Sequence, residues 1–175
     1  MKKFCPQIYQ KNIYSINYQK LKKEGIKCLL FDLDNTCIPY KNNKMPKKIK
    51  DLFDKLVKMN FKVIIFSNSP KRRLQRIIEL NNLKIEYNAS SKKPLPHNYK
   101  KVLKKYNYQK EEVCIIGDQL LTDVFGGNKV GIKTCLVDPI TKKEFFITKI
   151  SRKIENNLFK KLSKQNKLTK GEYYD

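Results

Sequence analysis

The sequence is poor in residues on which several kinds of enzyme depend. It has one histidine, His97, which excludes a histidine-rich metal site. Its five cysteines form no C-x-x-C pair, and none is followed closely by the arginine of a cysteine-dependent phosphate loop. We therefore expect reduced thiols in a cytoplasmic protein, and no cysteine nucleophile.

Long apolar runs are also missing. No stretch approaches the roughly 20 apolar residues of a membrane-spanning helix, and no apolar region follows the basic start as it would in a signal peptide. The length of 175 residues suits a single domain, 1–175, with a sizeable core.

Acidic residues are scarce beside basic ones. The 16 aspartates and glutamates face 39 lysines and arginines, and the net charge is +23. Such an excess favours anionic partners, which include phosphate esters, nucleic acid and an anionic membrane surface. The alternative is a general drift of composition toward lysine, since lysine, asparagine and isoleucine are abundant along the whole chain.

Apolar runs alternate with stretches of helical periodicity, which predicts an α/β fold. We expect a parallel five-stranded sheet with helices on both faces. Residues 1–25 are predicted to form a helical lead-in that ends at Gly25, and residues 140–175 a basic C-terminal helical region. The predicted strands are 26–32, 61–66, 84–87, 113–116 and 132–137.

Polar residues follow the predicted strands at the point where each one ends. Asp32 and Asp34 follow the first strand, where two carboxylates repel each other unless a cation lies between them. Because ligands of parallel α/β sheets bind at the carboxyl ends of the strands, we expect these side chains to form one site. The other members of the predicted site are Ser67, Asn68, Lys93 and Asp118.

The pattern D-x-D-x-T at residues 32–36 resembles motif I of the haloacid dehalogenase (HAD) superfamily. The resemblance implies that Asp32 is a nucleophile that forms an aspartyl-phosphate. It implies that Asp34 protonates the leaving oxygen and later activates water. A carboxylate nucleophile divides one difficult displacement into two easier ones, and a neighbouring carboxyl group can serve as acid and base.

Three further stretches resemble the remaining HAD motifs. Ser67 would donate to a phosphoryl oxygen with Asn68 beside it, although a serine here would also suit a helix N-cap. Lys93, next to Pro94, would neutralise the nucleophile and the transferring group, with Lys92 as its competitor for this role.

The stretch Gly117–Asp123 (GDQLLTD) resembles motif IV. The resemblance implies that Asp118 binds the metal directly and that Asp123 supports the site from a second layer. The alternative for Asp123 is a simple helix-terminus carboxylate. With Asp32 and the backbone carbonyl of Asp34, the implied ligands are all oxygen atoms, which favours Mg²⁺ over zinc.

Taken together, FDLDNT, FSNS, KKPLP and GDQLLTDVFGGN resemble the YqeG-type HAD subclass III phosphatases, whose relatives include mitochondrial phosphatidylglycerophosphate phosphatases. The resemblance implies a Mg²⁺-dependent phosphomonoesterase for phosphatidylglycerophosphate. Two alternatives remain open: a phosphatase for nucleic-acid ends or soluble sugar phosphates, and a basic RNA- or ribosome-binding protein on a HAD fold.

The intervals between the motifs leave no room for a cap domain. Residues 36–62 hold one loop and one predicted helix, and residues 68–93 hold one helix and one short strand. An uncapped site is open, so the substrate or a partner must exclude water from it. We therefore expect a large substrate, such as a lipid headgroup, a nucleic-acid end or a phosphoprotein.

The C-terminal region has the pattern of a basic amphipathic helix. Its apolar stripe could pack on the sheet domain, or its basic residues could face anionic lipid and place the protein peripherally at the inner membrane surface. The stripe consists of Phe145, Phe146, Ile147, Ile150, Ile154, Leu158 and Leu162, and the basic residues are Lys149, Arg152, Lys153, Lys160 and Lys161.

Overall fold

The computed structural model describes residues 2–141 and 146–175, and side chains at 2–141 and 153–175. The strands are β1 (Ile8–Gln10), β2 (Cys28–Phe31), β3 (Lys62–Phe66), β4 (Glu86–Asn88), β5 (Val113–Gly117) and β6 (Lys133–Val137). The helices are α1 (Tyr18–Lys23), α2 (Lys47–Lys58), α3 (Lys71–Leu80), α4 (Pro96–Tyr106), α5 (Phe125–Val130) and α6 (Phe146–Ser163). A π-helical segment, Leu120–Val124, lies between β5 and α5.

The strands form one parallel sheet in the order β1-β6-β5-β2-β3-β4. The α/β class and the five expected strands are confirmed. The count differs because β1 adds a sixth strand, which pairs with β6.

The prediction of a helical lead-in over residues 1–25 is wrong for Ile8–Gln10. Ile8 and Tyr9 are buried in the strand that pairs with β6. Three residues are too few for a strand period to be visible in the sequence, and this strand exists because of the edge it joins. Among the described residues of this region, α1 is the one α-helix, and Gly25 lies just beyond it with a left-handed φ of +87°.

Strand β2 is buried on both faces, as its unbroken apolar run predicts. Leu29 and Phe31 belong to the core cluster that α2 and α3 cover, while Cys28 and Leu30 point into the cluster that contains Tyr99 of α4. The two sides of the sheet therefore hold two cores, and β2 is central to both.

The described segments that follow β2 and β3 contain no inserted domain. Between β2 and β3 the chain forms a loop and α2, and between β3 and Lys93 it forms α3 and β4. The expectation of an uncapped site agrees with this arrangement.

Helix α6 packs on the domain through Leu158, Phe159 and Leu162, beside Tyr9 and Leu136. Packing of the apolar stripe is thus confirmed for Leu158 and Leu162. It is wrong for Ile154, which is 52% exposed, since the adjacent Glu155 occupies the inward position instead. Phe145 and the side chains of Phe146, Ile147, Lys149, Ile150 and Arg152 lie outside the described residues.

An isolated β-bridge near the C-terminus contacts the edge strand β1. Tyr174 pairs antiparallel with Tyr9, and each backbone N–H donates to the other residue's carbonyl at 2.8 Å. Among the helices of the described part of the chain, none has the length and apolar character of a membrane span.

Candidate active site

The residues predicted to form the site meet at the carboxyl edge of the sheet. Strands β2, β3 and β5 are in register, with Phe31 beside Ile65 and Ile116. The Asp32 N–H donates to the Ile116 carbonyl at 2.8 Å, which extends the ladder by one residue and fixes Asp32 at its end. The loops after these strands therefore leave the sheet side by side.

Lys93 lies between two carboxylates. Its Nζ atom is 2.6 Å from Asp32 Oδ1 and 2.6 Å from Asp123 Oδ1. Its side chain is only 2% exposed, whereas Lys92 is exposed. The structure therefore brings Lys93, and not Lys92, into the site.

At this centre, burial and charge pairing act in opposite directions on the pKa of Lys93 and on that of Asp32. Burial alone would lower the pKa of Lys93, but the Asp123 and Asp32 carboxylates outweigh it and raise that pKa. Burial raises the pKa of Asp32 to about 6, although Lys93 opposes the shift. Asp32 as a carboxylate is thus costly in this environment without a further positive charge.

Asn68 supports Lys93 from the neighbouring loop. Its amide oxygen accepts from the Lys93 N–H at 2.8 Å, and its amide nitrogen donates to the Lys93 carbonyl at 3.1 Å. The predicted substrate-binding residue therefore clamps the backbone of the lysine. Substrate contact by Asn68 stays a prediction.

Ser67 is buried directly after β3. Its hydroxyl accepts from the Ser69 N–H at 3.1 Å. The N-cap of α3 is Pro70, so the alternative role of Ser67 as the helix N-cap is wrong. As an acceptor in this turn, Ser67 keeps its own hydroxyl proton as a donor.

Asp32, Asp118 and Asp123 form a buried acidic group that could hold a cation. One carboxylate oxygen from each lies within 4.8 Å of the others. The Thr36 hydroxyl joins two of them, at 3.1 Å from Asp118 Oδ1 and 3.3 Å from Asp32 Oδ2. A donor set of oxygen atoms fits Mg²⁺.

Asp123 is the third member of this acidic group, whereas the third metal ligand predicted from the sequence was the backbone carbonyl of Asp34. Both of its oxygens already have donors, because Oδ1 accepts from Lys93 and Oδ2 accepts from the Gln119 N–H at 3.2 Å. These bonds agree with a supporting position for Asp123 beside Lys93. The Asp123 side chain lies so close to the backbone of residue 117 that glycine is required there, since a Cβ would lie 2.2 Å from Asp123 Cγ.

Asp34 has partners that the sequence did not indicate. Arg73 binds it with two parallel bonds, from Nη1 to Oδ2 at 2.6 Å and from Nη2 to Oδ1 at 2.7 Å. The Ser69 hydroxyl donates to Oδ2 at 2.9 Å. Arg73 could not be distinguished beforehand, because it stands in a run of basic residues with no motif of its own.

The fold agrees with comparisons to solved structures. The magnesium-bound HAD-hydrolase YfnB from Bacillus subtilis aligns with a TM-score of 0.56 at 16% identity, over 69% of this chain and 90% of that one. A HAD subfamily III A hydrolase from Legionella pneumophila aligns with a TM-score of 0.51 at 18% identity, over 72% of this chain and 76% of that one. The fold is that of a HAD-type hydrolase.

The particular family follows from the sequence. The family model described as mitochondrial PGP phosphatase matches residues 1–141, and the chain belongs to this family of HAD-type phosphatases. The "probable phosphatase YqeG" of Bacillus subtilis is 33% identical over 162 residues, which cover 93% of each chain. The chloroplastic/mitochondrial phosphatidylglycerophosphate phosphatase 1 of Arabidopsis thaliana is 27% identical over 89% of this chain and 47% of that protein. The resemblance inferred from the motifs is thereby confirmed.

Proposed function

We propose that the protein is a Mg²⁺-dependent phosphomonoesterase that acts through an aspartyl-phosphate on Asp32 and removes the terminal phosphate of phosphatidylglycerophosphate. The observation that carries the proposal is the buried Lys93 bonded to both Asp32 and Asp123 at the edge of the sheet. An ammonium group held against a carboxylate nucleophile is suited to a reaction that brings a phosphate dianion to that carboxylate.

In the first step an Asp32 carboxylate oxygen bonds to phosphorus while the bond from phosphorus to the leaving oxygen breaks. Lys93 stays beside Asp32 and offsets the charge of the transferring group. The Ser67 hydroxyl donates to a phosphoryl oxygen. Asp34 gives its proton to the leaving oxygen, which departs as an alcohol.

In the second step water attacks phosphorus and the bond to Asp32 breaks. Asp34 accepts a proton from the water, and inorganic phosphate leaves with Asp32 restored as a carboxylate. Asp32, Asp118 and the backbone carbonyl of Asp34 would hold Mg²⁺. The metal ion would neutralise negative charge where the phosphate and the carboxylates meet.

The choice of substrate is supported by the family and by the open site. The Arabidopsis relative is a phosphatidylglycerophosphate phosphatase. The described segments after β2 and β3 carry no cap that would enclose a small molecule. A lipid headgroup at a membrane surface can itself exclude water from such a site.

The test is a hydrolysis screen with phosphatidylglycerophosphate in mixed micelles, a 5′-phosphorylated oligonucleotide and small phosphate esters. We expect the lipid to give the highest kcat/KM, EDTA to abolish turnover and Mg²⁺ to restore it. Asp32→Asn should lose several orders of magnitude in kcat, while Asp54→Asn, an exposed control on α2, should keep it. Full turnover in EDTA or in Asp32→Asn would overturn the mechanism. A preference for the oligonucleotide would overturn the substrate.

A further inference from the structure

The contact between Arg73 and Asp34 poses a problem for turnover. Both oxygens of Asp34 accept from Arg73, and the Ser69 hydroxyl adds a third bond. These bonds take three of the roughly four lone-pair positions of the carboxylate. An acid that reaches the leaving oxygen of a substrate therefore competes with Arg73 and Ser69 for Asp34.

The guanidinium is the part that can move. Asp34 lies in a tight turn between Leu33, which is fully buried, and Asn35, whose φ is +63°. Helix α3 is fixed by buried Leu74. The side chains of Arg73 and Asp34 are similarly exposed, at 22% and 21%. The longer side chain of Arg73 can swing away from Asp34 by rotation about its own bonds while both backbones stay in place.

A released guanidinium needs another anion. The two segments around it, residues 36–50 and 67–78, contain many lysines and arginines and no aspartate or glutamate. One of these segments contacts Arg73 directly, because Nη2 donates to the Asn42 carbonyl at 3.2 Å. Neither segment offers Arg73 a second carboxylate, and a bound substrate can supply the replacement anion.

We propose that Arg73 is a specificity-determining residue that exchanges Asp34 for a second anionic group on the leaving-group side of the substrate. Its planar fork matches two oxygens of a phosphodiester as well as it matches a carboxylate. A substrate that carries such a group releases Asp34 as it binds, and a simple phosphomonoester does not. This inference rests on the proposed function and assigns recognition of the substrate's phosphodiester to Arg73.

The test compares two soluble substrates that differ in this group. Glycerophosphoglycerophosphate carries a phosphomonoester and a phosphodiester, and glycerol 3-phosphate carries the monoester alone. We expect the wild-type protein to favour the first by at least tenfold in kcat/KM. The preference should nearly vanish in Arg73→Gln and fall partly in Arg73→Lys, which keeps the charge but loses the fork.

Arg76→Gln is the matched control, because it removes the same charge from an exposed position on the same helix. It should keep the wild-type preference. Equal loss on both substrates in Arg73→Gln would show a purely structural contact and overturn the inference. An unchanged preference in that variant would overturn it as well.

A binding measurement separates this inference from the proposed function. In Asp32→Asn protein, calorimetry should show tighter binding of glycerophosphoglycerophosphate than of glycerol 3-phosphate, and Arg73→Gln in that background should remove the difference. If the wild-type protein turns over no phosphomonoester but this difference is found, the proposed function fails while binding of the phosphodiester by Arg73 is supported. Turnover without any Arg73-dependent preference in binding or rate overturns the inference alone.

Discussion

At the scale of single residues, the site is a cluster of acids with one buried ammonium among them. Lys93 is shared by Asp32 and Asp123, and the Thr36 hydroxyl links Asp118 to Asp32. The pKa of Asp32, raised to about 6 by burial despite Lys93, shows which carboxylate bears the cost. Without a metal ion this residue opposes folding at neutral pH.

Asp32→Asn should therefore stabilise the metal-free protein at pH 7. A carboxyl group whose pKa is raised from 3.8 to about 6 loses stability as pH rises through that interval. This sets an upper limit of about 3 kcal/mol for the gain. Lys93 keeps Asp123 as its partner in the variant. Urea unfolding from pH 4.5 to 8 in EDTA should show the gain growing up to about pH 7.

Added Mg²⁺ should reverse the order, since it stabilises the wild-type protein more than the variant. Asp54→Asn should follow the wild-type protein in both series. A variant that is less stable than wild type throughout this pH range would show that the pair of Asp32 and Lys93 outweighs the cost of burial.

The sequence was sufficient to predict the site residues whose positions follow from the end of a strand. Asp32, Ser67 and Asp118 are adjacent because parallel strands in register end together. Lys93 needed the resemblance to a family, since lysine is common everywhere in this chain. Arg73 and the clamp by Asn68 depend on loop conformations that bring residues about 25 to 40 positions apart into contact, and no local pattern encodes them.

At the scale of elements, α6 supports the π-helical segment that carries Asp123. Glu155 is 2% exposed and accepts from the Leu121 N–H at 2.9 Å. Leu121 belongs to the π-helical segment that also carries Asp123, whose partner is Lys93. The helix is thus connected to Asp32, the proposed nucleophile, through the π-helical segment with Asp123 and then through Lys93.

Glu155→Ala should cost about 1–3 kcal/mol in unfolding free energy, because the Leu121 N–H loses the carboxylate of a buried residue as its acceptor. It should also lower kcat by loosening the position of Asp123. Glu155→Gln retains an acceptor oxygen and should lose less of both quantities. Chemical denaturation and steady-state kinetics would measure the effects, with exposed Glu172→Ala as control. Wild-type stability and kcat in Glu155→Ala would contradict this role for the helix.

The elements that the sequence predicted poorly are those that depend on distant partners. Strand β1 has three residues and exists beside β6, far along the chain. The inward face of α6 includes Glu155, although the apolar periodicity of the helix predicts that a charged residue faces solvent. Its hydrogen bond to Leu121 explains the exception, and only the tertiary fold supplies that partner.

At the scale of the whole molecule, the main electrostatic feature is the net charge of +23. The outward face of α6 carries exposed Lys153, Lys160 and Lys161, with Ile154 between them. The opposite face is packed on the domain. A basic face with an exposed apolar residue is suited to the headgroup layer of an anionic membrane.

Sedimentation with vesicles tests this surface. The protein should bind anionic phosphatidylglycerol vesicles and not neutral phosphatidylcholine vesicles, and salt should weaken the binding. Replacing Lys153, Lys160 and Lys161 by glutamine should weaken it roughly a hundredfold, at about 1 kcal/mol per basic residue. Turnover of a soluble aryl phosphate should be unchanged.

Replacing exposed Lys100, Lys101 and Lys104 of α4 by glutamine is the control with the same loss of charge. It should retain most of the binding. Equal loss in the two triple variants would indicate attraction by overall charge alone, and no binding by the wild-type protein would remove membrane docking altogether.

The bridge between Tyr9 and Tyr174 protects the sheet from self-association. An edge strand presents unpaired backbone groups to any other chain that can adopt an extended conformation. Strand β1 is one of the two edges of the sheet, and the bridge occupies the outward N–H and carbonyl of its central residue. The C-terminal stretch thus acts against strand pairing of one molecule with the next. Loss of residues 170–175 would open that edge to aggregation.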